Sequence, residues 1–153
     1  YFEAATGQMK VFLDRLAPML DPASQLLRGE SGRRLHDGYR ISHTLLIAIC
    51  GDWGVQMFDR LVDWTAAIAR CLGSEFAGAL LRPHAPYLEG IEEQGIPPTE
   101  VYEAAREAGR QIVRDGQISA EAFAAVSREL TDFESYLQAF RDTFERLRSQ
   151  KGG

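Results

Sequence analysis

Three groups of residues have the types and spacing to do chemistry. The first is Gly51-Asp52-Trp53-Gly54, a short turn directly after the apolar run 42–50. If that run is a parallel strand, the turn lies at its C-terminal end, where open α/β sheets bind ligands. Trp53 would there stack beside a planar ligand or cover a substrate. It reads equally well as a core-edge tryptophan next to a turn. Asp52 is expected as the N-cap of a helix opening at Val55. The second group is Cys50 with His84, a thiol and an imidazole that follow two successive strands and so neighbour one another in one crevice. A thiol nucleophile needs such a base, yet no nucleophile-elbow motif accompanies the pair. The third group is Lys10 with Asp14-Arg15. Its helical spacing favours a surface ion pair or subunit contact over catalysis. His36, His43 and His84 are scattered, without HExxH or Cys/His ligand spacing, so no metal site is expected.

Composition narrows the class. A chain of 153 residues is one domain by length, and 45% hydrophobic with 25% charged residues is ordinary for a globular protein. The formal net charge of −5 argues against a nucleic-acid surface, which needs clustered Lys and Arg. Arg28, Arg33 and Arg34 form a small basic cluster in a loop, read as solvated surface. No apolar run has the length to span a bilayer, and no signal peptide is visible. Cys50 and Cys71 are the only cysteines and form no CxxC. Both are expected as reduced packing residues of a cytoplasmic protein.

The elements that must position these groups follow from periodicity. Tyr1 to Arg15 reads as a strand end, a tight polar loop and a helix. Thr6 is the expected N-cap, and Met9, Phe12, Leu13, Leu16 and Leu20 make one apolar face. Residues 18–41 hold Asp21-Pro22, Gly29, Gly32 and Asp37-Gly38 and read as a long irregular loop. Ser42 to Cys50 is nearly continuous in apolar residues, as in a strand buried on both faces. Val55 to Leu72 is amphipathic, with Phe58, Leu61, Val62, Thr65, Ile68, Ala69 and Leu72 inward and Gly73 as the stop. Phe76 to Leu81 is a second strand, closed by Pro83. Strand, helix and strand in this order make a parallel crossover. Two strands alone do not make a sheet covered on both faces, so further strands are expected to complete it.

His84 to Pro98 reads as a Pro- and Gly-rich connector. Thr99 is the expected cap of a helix to about Arg114, ended by Asp115-Gly116. Ser119 caps the next, with Ala122, Phe123, Val126 and Leu130 on one face. From Asp132 a last helix carries Phe133, Tyr136, Leu137, Phe140, Phe144 and Leu147. These tail helices are more aromatic than one domain face needs, and packing on a partner subunit or on their own sheet is equally allowed.

The opening run, Tyr-Phe-x-x-x-Thr-Gly-Gln-Met-Lys-x-Phe-x-Asp-Arg, resembles the second flavin loop and following helix of the flavodoxin-fold NAD(P)H-dependent FMN reductases. The stretch Ile118-Ser119, Leu130 and Glu134-x-Tyr136 is similar to the tail of many members. The resemblance covers the C-terminal part of that fold, roughly Tyr1 to Tyr136. It implies an α/β, flavodoxin-like doubly wound parallel sheet in three αβα layers, its N-terminal strands and phosphate loop lying upstream of Tyr1, so that the sequence reads as a fragment. Residues 1–98 would form that domain part and 99–150 a helical C-terminal extension.

The resemblance further implies a cytoplasmic homodimer or homotetramer that holds FMN and takes electrons from NAD(P)H. It would pass them as hydride to a flavin, quinone or similar small-molecule acceptor, with neither nucleic acid nor membrane as partner. Tyr1, Phe2, Glu3, Ala4, Ala5 and Thr6 would line the isoalloxazine, small Ala4 and Ala5 letting the backbone approach it. Thr6 and Gly7 amides would face the reduced ring's N1/O2 side. Gly51, Asp52, Trp53 and Gly54 would complete the crevice, and no protein side chain is assigned a catalytic role. Without its phosphate loop the chain is expected to bind FMN poorly. Two other readings are a flavodoxin-like electron carrier without a nicotinamide pocket, and a non-enzymatic α/β interaction module or decayed fragment that binds no flavin. An iron–sulfur branch of the family, with a cysteine cluster upstream of Tyr1, is compatible with the same residues.

Overall fold

A computed structural model describes residues 4–23 and 34–151. Helix α1 (Gly7–Asp14) opens on Thr6, whose hydroxyl accepts from the Met9 amide at 3.2 Å. Its ladder stops early because Pro18 has no amide to donate back, and a 3₁₀ turn (Ala17–Met19) follows. Lys10 and Asp14 pair at 3.0 Å on its exposed side. The stretch expected as irregular contains a short antiparallel ladder, β1 (Leu20–Asp21) on β2 (Arg34–Leu35), with Leu20 opposite Leu35.

The core unit is β3 (His43–Ile49), a 3₁₀ turn (Val55–Phe58), α2 (Asp59–Cys71) and β4 (Glu75–Arg82), the two strands parallel. The 3₁₀ turn places Phe58 inward and α2 places Thr65 and Ala69 inward, as the pattern requires, and the Ser74 amide closes the helix end on the Ala69 carbonyl at 2.9 Å. One residue too many separates the strands in register, because Thr44 faces Phe76 and Leu45 faces Gly78. The skipped Ala77 turns its carbonyl out of the ladder to accept from the Ile118 amide at 3.2 Å. Gly78 follows at φ 117°, a conformation that a side chain would strain. This bulge therefore ties the sheet to the segment after it.

That segment begins with a correction. Residues 84–98, read as a connector, contain α3 (Ala85–Glu93), with Pro86 in the first turn where a missing amide costs nothing. Helix α4 (Thr99–Asp115) is capped by Pro98, not by Thr99, which is its first residue. Helix α5 (Ala120–Ser127) is capped as expected by Ser119, accepting from Ala122 at 3.2 Å. Helix α6 (Phe133–Lys151) ends the described chain, with Asp132 accepting from the Ser135 amide at 2.9 Å.

Leu80 and Leu81 point to opposite faces of β4 and both are buried. Leu80 packs with Ala108, Ala122 and Val126 of α4 and α5, so α2 covers the other face. Strand β3 is less well covered than its composition predicts. Ile47 and Ile49 lie on the Leu80 side beyond the reach of α5 and are 70% and 71% exposed. β4 is also the one strand that β3 pairs with among the described residues. The α/β class is thus present as a two-stranded parallel sheet in a mostly helical chain. None of the described helices is long and apolar enough to cross a membrane.

Candidate ligand cleft at the strand ends

The C-terminal ends of β3 and β4 are stitched together by backbone bonds. Cys50 donates to the Arg82 carbonyl at 3.1 Å, His84 to the Asp52 carbonyl at 2.7 Å, and Ala85 to the Cys50 carbonyl at 2.9 Å. Residues 50–52 are thereby held against 82–85. In front of them opens a concavity of about 1230 Å³, floored by β3 and walled by apolar residues of α2 such as Leu61 and Ile68. Ala4, Ala5 and Thr6 form its rim from the far side, and Cys50, Gly51 and Asp52 from the strand end.

Behind the strand ends lies a closed polar and aromatic cluster. Arg82 is 5% exposed and His84 has no exposed surface. The Arg82 guanidinium donates from Nε to the Pro83 carbonyl at 2.9 Å, from Nη1 to the Val126 carbonyl at 2.8 Å, and from Nη2 to His84 Nε2. Each of its three nitrogens thus has an acceptor within the protein, as a buried cation requires. Burial pulls the Arg82 guanidinium below its ordinary value, and the nearby Arg128 charge adds to this. His84 is likewise pulled down, first by burial and then by Arg82. Trp53 stacks on His84 with centroids 4.8 Å apart and planes at 25°. Tyr136 of α6 closes the cluster, 5.4 Å from Trp53 and 5.8 Å from His84, and its hydroxyl donates to the Gly51 carbonyl.

The sequence-predicted residues therefore divide. Ala4, Ala5, Thr6, Gly51 and Asp52 share the cleft. Gly7 does not; it lies in a shallow surface cleft with Gln8 and Phe12. Trp53 is the core-edge tryptophan of the two readings, turned back onto His84. Gly54 precedes the 3₁₀ turn as its cap, the place assigned to Asp52, so Asp52 caps nothing there. Tyr1, Phe2 and Glu3 lie outside the described residues, as do Arg28 and Arg33 of the basic cluster.

The thiol–imidazole pair is also corrected. Cys50 sits just past the strand, half-buried, and donates to the Asp52 carbonyl at 3.7 Å. Burial pushes its thiol up, away from a reactive thiolate. Both nitrogens of His84 are engaged, Nε2 by Arg82 and Nδ1 by the Trp53 carbonyl at 3.4 Å. His84 is in no position to serve as a base for Cys50. Cys71 is exposed and not a packing residue. Among the described residues no group of three or more His, Cys, Asp or Glu side chains is arranged to hold a metal ion.

Sequence reasoning missed Arg82 and Tyr136. The signal for Arg82 was present, since an arginine closing an apolar strand and followed by Pro-His must find several acceptors. Tyr136 lies 85 residues from its acceptor Gly51, and no local pattern points to that contact.

The cleft lining is mostly apolar, aliphatic side chains together with Phe58 and Trp64, and Ala4, Ala5 and Gly51 bring little bulk to its rim. A phosphate tail does not find a cradle there among the described residues. The charged side chains lining the cleft among those residues are Asp52, Glu89 and Arg82, whose three nitrogens each have an acceptor in the protein. No protein-family model matches the chain, and neither a curated protein nor a solved structure matches it.

Proposed function

We propose that the protein is an FMN-dependent NAD(P)H oxidoreductase of the flavodoxin-like class, delivering hydride to a flavin, quinone or related small acceptor. The observation that supports this reading best is the shared cleft. Residues 4–6, before a helix N-terminus, and residues 50–52, after a parallel strand, come from distant parts of the chain. They meet around one apolar concavity that runs along β3 from Thr44 and reaches its C-terminal end, where ligands usually lie in open α/β folds.

The flavin itself would supply hydride acceptance and donation. The chain's part is to hold a flat ring between Ala4-Ala5 and Gly51, where the lack of bulk lets backbone approach. Leu61 and Ile68 exclude water from one wall. The first-turn amides of α1 have no intrahelical acceptor and favour negative charge at that end. The wider αβα sheet of this class requires strands beyond β3 and β4, on the free edge of β3. The ring site is the part of FMN that these residues suit; its phosphate needs donors from elsewhere.

The test is a visible spectrum of the purified complete gene product, followed by anaerobic addition of NADPH. Flavin bands that bleach on reduction support the reductase. Bands that persist with NADPH but respond to a chemical reductant point to an electron carrier. A colourless protein that takes up no added FMN overturns the proposal. In that case an interaction module becomes the better reading, favoured by the exposed Ile47 and Ile49 on a free strand edge.

A further inference from the structure

Four successive carbonyls just past β3 are each met by a donor of the protein. Cys50 accepts from the Ala85 amide at 2.9 Å and Asp52 from the His84 amide at 2.7 Å. Trp53 faces Nδ1 of His84 at 3.4 Å, and Gly51 accepts from the Tyr136 hydroxyl. The amides of the same turn have no such partners. Those of Gly51, Asp52, Trp53 and Gly54 meet no acceptor among the described residues.

A trans peptide is planar, so its N–H points opposite to its C=O. No peptide of the described chain is cis. The Gly51 carbonyl is drawn back to Tyr136, which packs with Trp53 and His84, and none of these three lines the cleft. Gly51 and Asp52 do line it. The Asp52 amide, at the other end of the same peptide, is thereby aimed into the cleft.

This orientation needs a cause. A glycine permits either orientation of the peptide that follows it. Gly51 is also exposed, so water could serve its carbonyl. What the Tyr136 hydroxyl adds is direction. Tyr136 is itself firmly placed, 8% exposed and with its ring against Trp53, His84 and Tyr87. Among residues 133–149 it is the only buried one. Burial, and then the Asp52 charge, hold its phenol above the ordinary range, so the proton stays available for donation.

We propose that Tyr136 is a positioning residue of the cleft: reaching from α6, it turns the peptide between Gly51 and Asp52 so that the Asp52 amide donates to an acceptor oxygen of a flat ring bound there. The ligand class is a planar, mostly apolar ring with a carbonyl on its edge. This rests on the ring-site reading of the cleft, and the test separates the two.

Tyr136→Phe removes the hydroxyl and keeps every ring contact. Two probes are titrated into the whole protein by fluorescence. Lumiflavin is a flat ring with edge carbonyls and no phosphate; anthracene is equally flat and has no acceptor. Lumiflavin should bind the variant about tenfold more weakly, the scale of one hydrogen bond, and anthracene should bind it as it binds the parent. An unchanged lumiflavin affinity overturns the proposal. Equal weakening of both probes makes Tyr136 a merely structural residue and overturns it as well. A parent protein that binds no lumiflavin overturns the ring-site reading, and amide NMR of the ligand-free protein then decides the positioning role. There Tyr136→Phe should move the Asp52 amide resonance and leave the amides of β3 in place; an unmoved Asp52 amide overturns that role too.

Discussion

The Arg82 guanidinium donates to Nε2 of His84, and this contact fixes the tautomer of a histidine that has no exposed surface. Arginine has no acceptor, so Nε2 must be unprotonated and the ring proton sits on Nδ1, facing the Trp53 carbonyl at 3.4 Å. A second proton on the ring would point an N–H at an N–H beside a cation.

Stability is therefore expected to depend on pH through His84. Burial and Arg82 hold its folded value below the ordinary one, which is about 6.5. The unfolded chain then binds the proton more readily, so stability rises with pH across the window. The contribution is complete above about 6.5 and is lost as pH falls through the lowered folded value. Thermal melts between pH 7.5 and 5 should show this slope. His84→Asn, whose side chain tolerates the left-handed backbone at φ 41°, should flatten it. An unchanged slope in the variant would remove His84 as the cause. The carboxylate of Asp132, held low by Ser135, acts in a separate and lower range.

Arg82→Met should destabilise the fold by about 2–4 kcal/mol, because buried acceptors at Pro83, Val126 and His84 lose their donor together. Arg82→Lys should recover little of this, since one ammonium does not reproduce a planar fork aimed in three directions. Chemical denaturation of the two variants checks both statements; equal stability of the lysine variant and the parent would refute the second.

Trp53→Leu should cost stability, about 2–3 kcal/mol, through loss of the His84 stack, the tilted Tyr136 contact and the Phe133 edge. It should leave ligand affinity in the cleft within about threefold, a small part of a kcal/mol-scale effect. Titration calorimetry with a cleft ligand, run well below the variant's melting temperature, decides this. A large affinity loss without a stability loss would return Trp53 to the ligand site.

The 153-residue chain is expected to bind FMN no more tightly than riboflavin. Among the described residues the charged groups lining the cleft are Asp52, Glu89 and Arg82, and each nitrogen of Arg82 already has an acceptor in the protein. Fluorescence titration of the two flavins should give affinities within about threefold, less than the tenfold that 1.4 kcal/mol represents. A strong preference for FMN would reveal a phosphate site within this chain.

Gly116 ends α4 at φ 75°, and a Cβ there would lie 2.6 Å from His43 Nε2. Gly116→Ala should cost about 1–2 kcal/mol, mostly from the left-handed backbone. His43 is partly exposed and can swing aside. Adding His43→Ala should recover only the smaller, steric share; full recovery by the second change would show the backbone cost to be negligible.

Much of the local structure was legible because its causes are local. Thr6 and Ser119 cap as read, since a hydroxyl three residues before a free amide needs no tertiary help. The inward set of α2 follows from its 3.6-residue period. Helix α3 was hidden because Pro86 and Gly90 read as breakers, although proline is harmless in a first turn. The cap assigned to Asp52 failed because a 3₁₀ turn at Val55 displaced the helix start to Asp59.

The sequence by itself determined the class of α1, β3, α2, β4, α4, α5 and α6, the parallel order of β3 and β4 around α2, and the apolar residues of α6. Periodicity, capping and chain connectivity act over a few residues and survive without context. Only the tertiary structure decided which residues share the cleft. It set Trp53 and His84 behind the strand ends and Ala4 to Thr6 in front of them, and it left Ile47 and Ile49 uncovered. Those outcomes depend on contacts such as Tyr136 to Gly51 and Arg82 to Val126, between residues 85 and 44 positions apart. Burial and hydrogen-bond satisfaction across such distances are properties of the packed chain, and no window of sequence contains them.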